Sequence, residues 1–429
     1  MAKPEKSYRK RALGGHVLKP ESMAMSYGYD PAMSEGAIKP PVFMTSTFAF
    51  RSAAEGEALF RRLAGRQQEG DPEDPGLIYT RFNNPNMEVL EDRLTLFDDG
   101  EDALVFSSGM GAITTALLAL CSPGTTLLHT SPLYGASEVF IRNMMPEFGI
   151  RSFEVDAWSD EDTLYAAASK AAETGPVSVI YTESPANPTN TLVDMEAAAR
   201  VRDRLARETG HRAVLMCDNT MMGPVGFTPL GHGADLVVYS LTKYIGGHSD
   251  LIAGGAVGRE EIIARVRRMR NFLGTTLDSH TCWLLTRSVE TLGLRMQRAF
   301  DNARVCAQFL SGHDKVSNVR FPALFEPGSE QRRIYDAQCK AAGSTFSFDV
   351  AGGKEGAFRF LDSLQLVKLA VSLGGTESLA CHPGSTTHSG VDPEVRERIG
   401  FTEGLVRLSV GIEDGDDLVA DLEQALAAV

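Results

Sequence analysis

Short apolar runs rich in Val, Ile and Leu recur through the middle of the chain, at 103–106, 126–129, 177–182, 213–217, 236–239 and 253–257. Between several of them the apolar positions follow helical spacing, as in 111–121, 163–172 and 195–208. A strand that is apolar at every position has no solvent face, so these strands belong to a sheet covered on both sides. Their alternation with helices makes that sheet mostly parallel. The pattern predicts an α/β domain over 84–291, with chemistry beyond the carboxyl ends of its strands.

The two ends of the chain read differently. Residues 1–83 form an irregular arm with Gly28, Pro31, Gly36, Pro40 and Pro41, a short amphipathic helix near Ala53–Leu63, and a polar stretch over 65–76. Such an arm buries little by itself and needs another surface, which in a homo-oligomer is the neighbouring subunit. From 292 onward a long helix (292–310), strands near 344–350 and Leu405–Ser409, and an acidic helix (416–428) predict a smaller α+β domain over 292–429. No repeat or low-complexity tract interrupts this order.

Composition narrows the partners. A net charge of −14 argues against nucleic acid or an anionic membrane surface, and means that any anionic ligand needs local donors. Cys121, Cys217, Cys282, Cys306, Cys339 and Cys381 lie far apart without CxxC spacing, which suits a reduced, cytoplasmic compartment. Residues 1–19 are basic but lack the apolar stretch of a secretory signal. No apolar run approaches the ~18 residues of a membrane span.

Candidate chemistry sits at strand ends. Asp218 follows the run at 213–217, and Lys243 lies 25 residues further on in SLTKYIGGHSD. A lysine just past a buried strand is partly desolvated, which favours the free amine needed for a Schiff base. An acid beneath a pyridine ring would keep the ring nitrogen protonated. A plain strand-end carboxylate and a surface lysine are equally good explanations of these two residues alone. SSGMGAITTAL places Gly109 and Met110 where backbone amides could hold an anion at a helix start, with Ser240 and Thr242 as further donors. It meets neither GxGxxG nor the Walker pattern, and an ordinary strand-to-helix turn explains it too. Tyr79 and Arg81 in YTRFNNP, Tyr134 in SPLYGAS, and Glu183 and Asn187 in ESPANP are individually weak signals. Arg407 interrupts an apolar strand, so it needs either an internal salt bridge or a substrate carboxylate. His382 and His388 lack metal spacing, so no metal is expected. Arg265, Arg267, Arg268 and Arg270 read as a solvated helix face.

The order of these segments carries more than any one of them. YTRFNNP, SSGM, LYG, ESPANP, DNT, SLTKY, GGHSD, SLGGTESL, HPGSTTH and VRLSVGIED together resemble the Cys/Met-metabolism family of fold-type I pyridoxal-phosphate enzymes, from about Gly28 to Leu426. The resemblance implies a three-layer α/β/α large domain, a smaller C-terminal domain and an extended N-terminal arm. It also implies roles. Lys243 would form the imine with pyridoxal 5'-phosphate and carry protons, and Asp218 would pair with the ring nitrogen. Tyr134 would stack on the ring and serve the leaving group. Gly109, Met110, Ser240 and Thr242 would hold the phosphate, joined by Tyr79 and Arg81 of a neighbouring subunit in a homotetramer of two active dimers. Arg407, helped by Ser372, would grip the substrate carboxylate. Asn187 would face the phenolic oxygen of the cofactor, with Glu183 supporting that region.

Within the family, the C-terminal third resembles methionine γ-lyases and their γ-lyase and γ-synthase relatives. Three features depart from a methionine γ-lyase: Ala136 where a cysteine is usual, Arg270 and Asn271 where a Lys-Asp pair is usual, and a longer stretch over 65–76. The expectation is γ-elimination or γ-replacement on a sulfur amino acid or an O-acyl-homoserine. A β-lyase, a sulfhydrylase and a cofactor-binding homologue without turnover remain as alternatives.

Overall fold

The computed structural model describes residues 7–71, 76–390 and 393–429. Part of the polar stretch at 65–76 and the start of the basic N-terminus lie outside the described residues.

The apolar runs become a seven-stranded sheet. Its strands are β1 (Asp102–Phe106), β2 (Thr126–Ser131), β3 (Arg151–Asp156), β4 (Val177–Glu183), β5 (Val214–Asp218), β6 (Leu236–Ser240) and β7 (Gly254–Gly258), in the spatial order β1-β7-β6-β5-β4-β2-β3. β7 runs antiparallel to both of its neighbours, and the other pairings are parallel. The edge strand β3 escaped the sequence reading because it is half-exposed and mixes charged with apolar residues.

Alternate residues of each strand serve different cores, as the two-residue period requires. Leu104, Phe106, Val179, Met216 and Val238 pack with Ala112, Ile113, Ile262 and Val266 of helices α3 (Gly109–Leu120) and α7 (Glu260–Leu273). Val105, Ile180, Leu215, Cys217 and Val237 face the other way, onto Leu90, Val201 and Leu285 of α2 (Pro85–Asp98), α6 (Met195–Thr209) and α8 (Ser279–Val289), with α4 (Gly135–Val139) and α5 (Glu161–Ala172) lying between α3 and α6 in the chain. Side-chain caps start several of these helices where the sequence offers them. Ser108 accepts from Gly111 N, Asp194 from Ala197 N and Asp278 from Thr281 N.

The helix α9 (Leu292–Ser311) leads into a second, five-stranded sheet that includes β9 (Thr345–Val350) and, at its centre, β12 (Leu405–Ser409), with β8 (Val316–Arg320), β11 (Leu379–Cys381) and β10 (Lys368–Leu369) completing it. Its core joins Phe346, Phe348, Val406 and Leu408 to Cys306 and Leu310 of α9 and to Phe360, Leu418 and Leu422 of the following helices. The arm carries the predicted helix α1 (Ala53–Leu63) and lies along α2 and α8: Trp283 Nε1 donates to Pro40 O, and Asn86 Nδ2 to Pro41 O. Large apolar side chains of the arm stay exposed, Met33, Ile38 and Met44 each above 75%.

The charged face of α7 corrects the sequence reading. Arg270 is fully buried, bonded to Glu91 Oε1 at 2.6 Å and to Val105 O at 2.9 Å, and Arg267 pairs with Glu91 and Asp102. Two of the four arginines are therefore ion-paired into α2 and β1 instead of facing solvent. Among the described residues, no helix is long and apolar enough to cross a membrane.

Candidate active site

A cavity of about 430 Å³ opens where β1, β2, β4, β5 and β6 end. Its size suits a cofactor-sized ligand. Each motif supplies its wall by leaving a strand. β4 ends at Glu183, β5 at Asp218 and β6 at Ser240, and β1 passes through Ser108 into the start of α3. Glu183 and Asp218 are partners in the β4–β5 register, so two buried carboxyls stand side by side.

Lys243 lies in the turn after β6. Its Nζ donates to Ser372 Oγ at 2.8 Å, and no carboxylate pairs with it among the described residues. Burial first, and then the charge of Arg407, pull its pKa down to about 8. Asp218 accepts from Thr220 N at 2.9 Å and has no cationic partner among the described residues. Burial raises its pKa. Burial and the neighbouring Asp218 push that of Glu183 upward, while the Asn187 and Tyr134 amides that donate to its two oxygens hold the ionised form.

The sequence left open whether Arg407 is held by an internal salt bridge or by a substrate carboxylate. It is 3% exposed on β12, and its partners are Asn187 Oδ1 at 3.1 Å and Ser372 O at 2.9 Å. No internal salt bridge forms among the described residues. Tyr134 is 40% exposed at the cavity edge, and its backbone N donates to Glu183 Oε2 at 2.7 Å.

At the start of α3, the Gly109 and Met110 amides have no acceptor among the described residues. A side chain at Gly109 would collide with Ser240, 2.8 Å from the ideal Cβ position, so the glycine keeps this approach open. Thr242 is on the cavity wall, but its hydroxyl donates to Ala253 O at 3.2 Å and accepts from Ala253 N at 3.0 Å, which ties it to the entry of β7. Tyr79 and Arg81 are not brought to the cavity by this chain: Tyr79 is 42% exposed, and Arg81 bonds to Asn271 O and lies over the Phe82 ring.

Sequence reasoning missed Thr220, which joins the two sides of the site. Its N donates to Asp218, and its Oγ1 accepts from Ser240 N at 2.8 Å. The DNT string held that signal. Met221, Ile252, Val371, Leu373 and Thr387 also line the cavity and carried no chemical signal of their own.

The family described as Cys/Met metabolism PLP-dependent enzyme matches residues 21–427. The chain belongs to that family. It is therefore a pyridoxal-phosphate-dependent enzyme, and the expected fold class holds. The chain is 41% identical to L-methionine gamma-lyase of Pseudomonas putida over 407 residues, 94% of this chain and 96% of that protein. It is 34% identical to O-succinylhomoserine sulfhydrylase of Pseudomonas aeruginosa over 395 residues, 92% of each. The crystal structure of metB from Corynebacterium glutamicum matches with a TM-score of 0.83 at 31% identity, covering 96% of this chain and 98% of that one.

The residues present suit the family's cofactor. Among the described residues, a buried carboxyl without a cation (Asp218), an amine without a carboxylate (Lys243) and two helix-start amides without an acceptor (Gly109, Met110) would suit a ring cation, an aldehyde and a phosphate in turn.

Proposed function

We propose that the chain catalyses γ-elimination of the sulfur substituent from L-methionine or a close sulfur amino acid. The observation that carries this reading is one cavity holding Lys243 and Arg407, an amine and a guanidinium that both lack a carboxylate partner among the described residues. The similarity to L-methionine gamma-lyase over nearly the whole chain supports the choice of reaction. γ-Replacement on an O-acyl-homoserine is the second reading, favoured by the similarity to a sulfhydrylase.

Pyridoxal phosphate, when bound, supplies the electron sink that makes the Cα and Cβ protons of an amino acid removable. Asp218 would hold the ring nitrogen protonated. The Gly109 and Met110 amides and the Ser240 hydroxyl would hold the phosphate, with Thr242 fixing the adjacent backbone. Arg407 would bind the substrate carboxylate in a bidentate fork, steadied by Asn187 and Ser372. With the carboxylate held there, the Lys243 amine moves protons at Cα and then Cβ, and the Tyr134 hydroxyl gives a proton to the leaving sulfur.

The exposed apolar side chains of the arm support a homo-oligomer, and a homotetramer of two active dimers would let Tyr79 and Arg81 reach the partner's phosphate site. The domain division is read as 1–83, 84–291 and 292–429, and the compartment as cytoplasmic, consistent with cysteines that are all free.

The test is the product set from methionine, cystathionine, O-acetylhomoserine and O-succinylhomoserine. 2-Oxobutanoate with a released thiol is expected. Pyruvate would make the enzyme a β-lyase. With cysteine or sulfide supplied beside the ester, a new thioether or homocysteine would make it a replacing transferase, and no turnover despite bound cofactor would make it a non-catalytic homologue.

A further inference from the structure

Hydrogen bonds join the site residues into one continuous path. Tyr134 N and Asn187 N both donate to Glu183, at 2.7 Å to Oε2 and 2.9 Å to Oε1. Asn187 Oδ1 then accepts from Arg407, Arg407 donates on to Ser372 O, and Ser372 Oγ accepts from Lys243. Glu183 is the point where the turn after β2 and the turn after β4 meet.

We propose that Glu183 is a positioning residue whose carboxylate sets the Tyr134 and Asn187 backbones together, and so fixes the leaving-group side of the cavity relative to the carboxylate-binding side. The proposal rests on the reading of the cavity given above. Three observations carry it. Both oxygens of Glu183 accept from backbone amides, and among side chains of this length only a carboxylate is an acceptor at both ends. A glutamine must turn its NH₂ toward one of those two N–H groups. Glu183 is also 4% exposed and stands beside Asp218 in the sheet register, where a second buried carboxyl is unfavourable for stability alone. Finally, the two amides it holds belong to the residues on either side of the substrate position, Tyr134 at the cavity edge and Asn187 against Arg407.

The test is Glu183→Gln in the holoenzyme, measured two ways. L-Norleucine has the shape of methionine but no leaving group, and its Kd, read from the change in cofactor absorbance, reports the Arg407 side. kcat for γ-elimination reports the Tyr134 side. Both are expected to worsen by about tenfold, the loss of one charge-assisted hydrogen bond. A variant in which either quantity stays within twofold of the parent, whatever its melting temperature, overturns the coupled role. Should Glu183→Gln not fold, Glu183→Asp, which keeps the charge but is too short to reach both amides, must show the same paired loss, and parental values in it overturn the proposal. If norleucine produces no spectral change in the unsubstituted enzyme, the reading of the cavity fails, and this role fails with it.

Discussion

The Nζ of Lys243 reaches Ser372 Oγ at 2.8 Å, and Ser372 holds that place with a backbone φ of +102°. Residues with a Cβ avoid this region, at a cost of order 1–3 kcal/mol. The same residue's carbonyl accepts from Arg407, so one strained serine meets both cations of the cavity. The strain is retained where it brings the Lys243 amine and the Arg407 guanidinium onto one residue.

Ser372→Gly separates strain from function. Glycine relieves the backbone but raises unfolded-chain entropy by about 0.4–1 kcal/mol, so the net effect on stability should be neutral to stabilising. The hydroxyl that receives Lys243 is lost, and kcat should fall about tenfold. Calorimetry beside a steady-state assay checks both. A clear drop in melting temperature would contradict the strain argument.

The free amine of Lys243 should appear at unusually low pH. Burial, then Arg407, bring its pKa to about 8 in the folded protein. This folded value lies below that of the unfolded chain, so between about 8 and the ordinary lysine range the unfolded chain binds more protons. The group's contribution to stability therefore increases with pH across that window. The rate at which cofactor-free protein takes up pyridoxal phosphate should rise with pH and be half-maximal near 8. In Arg407→Leu the midpoint should move upward, since a repelling charge is gone. Stopped-flow absorbance measures it, and a midpoint unmoved by that substitution would count against the electrostatic cause.

Arg407→Lys keeps the charge but loses the planar fork, and it leaves Asn187 Oδ1 or Ser372 O without a donor. KM for the amino acid should rise roughly 10–100-fold, the loss of one or two charge-assisted hydrogen bonds. Inhibition by inorganic phosphate of cofactor uptake should not change, because the phosphate site proposed above is at the start of α3. An unaltered KM would remove Arg407 from the substrate's carboxylate.

What the sequence made legible follows from periodicity and order. The apolar strands of the large sheet were readable because they are buried on both faces, and their ends located Asp218, Ser240 and Glu183 within a residue. The half-exposed β3 lacks that signature. Lys243, Asp218 and Arg407 were each ambiguous alone, since a residue's partners in space are not written in its neighbours along the chain. Only the fold places Arg407 away from every described carboxylate and sets Thr220 between Asp218 and Ser240.

Arg270 is the opposite lesson and gives a stability test. Its place in a run of arginines suggested solvent, yet it is fully buried, and its Nη1 meets both Glu91 Oε1 and Val105 O while Glu91 Oε1 accepts from Val105 N. The cluster ties α7 and α2 to β1, the strand that leads into the turn at Gly109. Removing Arg270 leaves Glu91 Oε1 with the Val105 amide alone while Oε2 keeps Arg267, so the cost is a sizeable part of the about 3–5 kcal/mol that a fully stranded buried charge carries. Arg270→Met should therefore lower the melting temperature sharply, whereas Arg268→Met, outside the ion pairs formed by Arg267 and Arg270, should change it little. The paired substitution Glu91→Leu with Arg270→Met removes both charges and should recover part of the loss, because Arg267 keeps its bond to Asp102. Thermal melts of the three variants decide it. Equal destabilisation by Arg268→Met and Arg270→Met would mean that the burial of Arg270 does not govern the stability of this face.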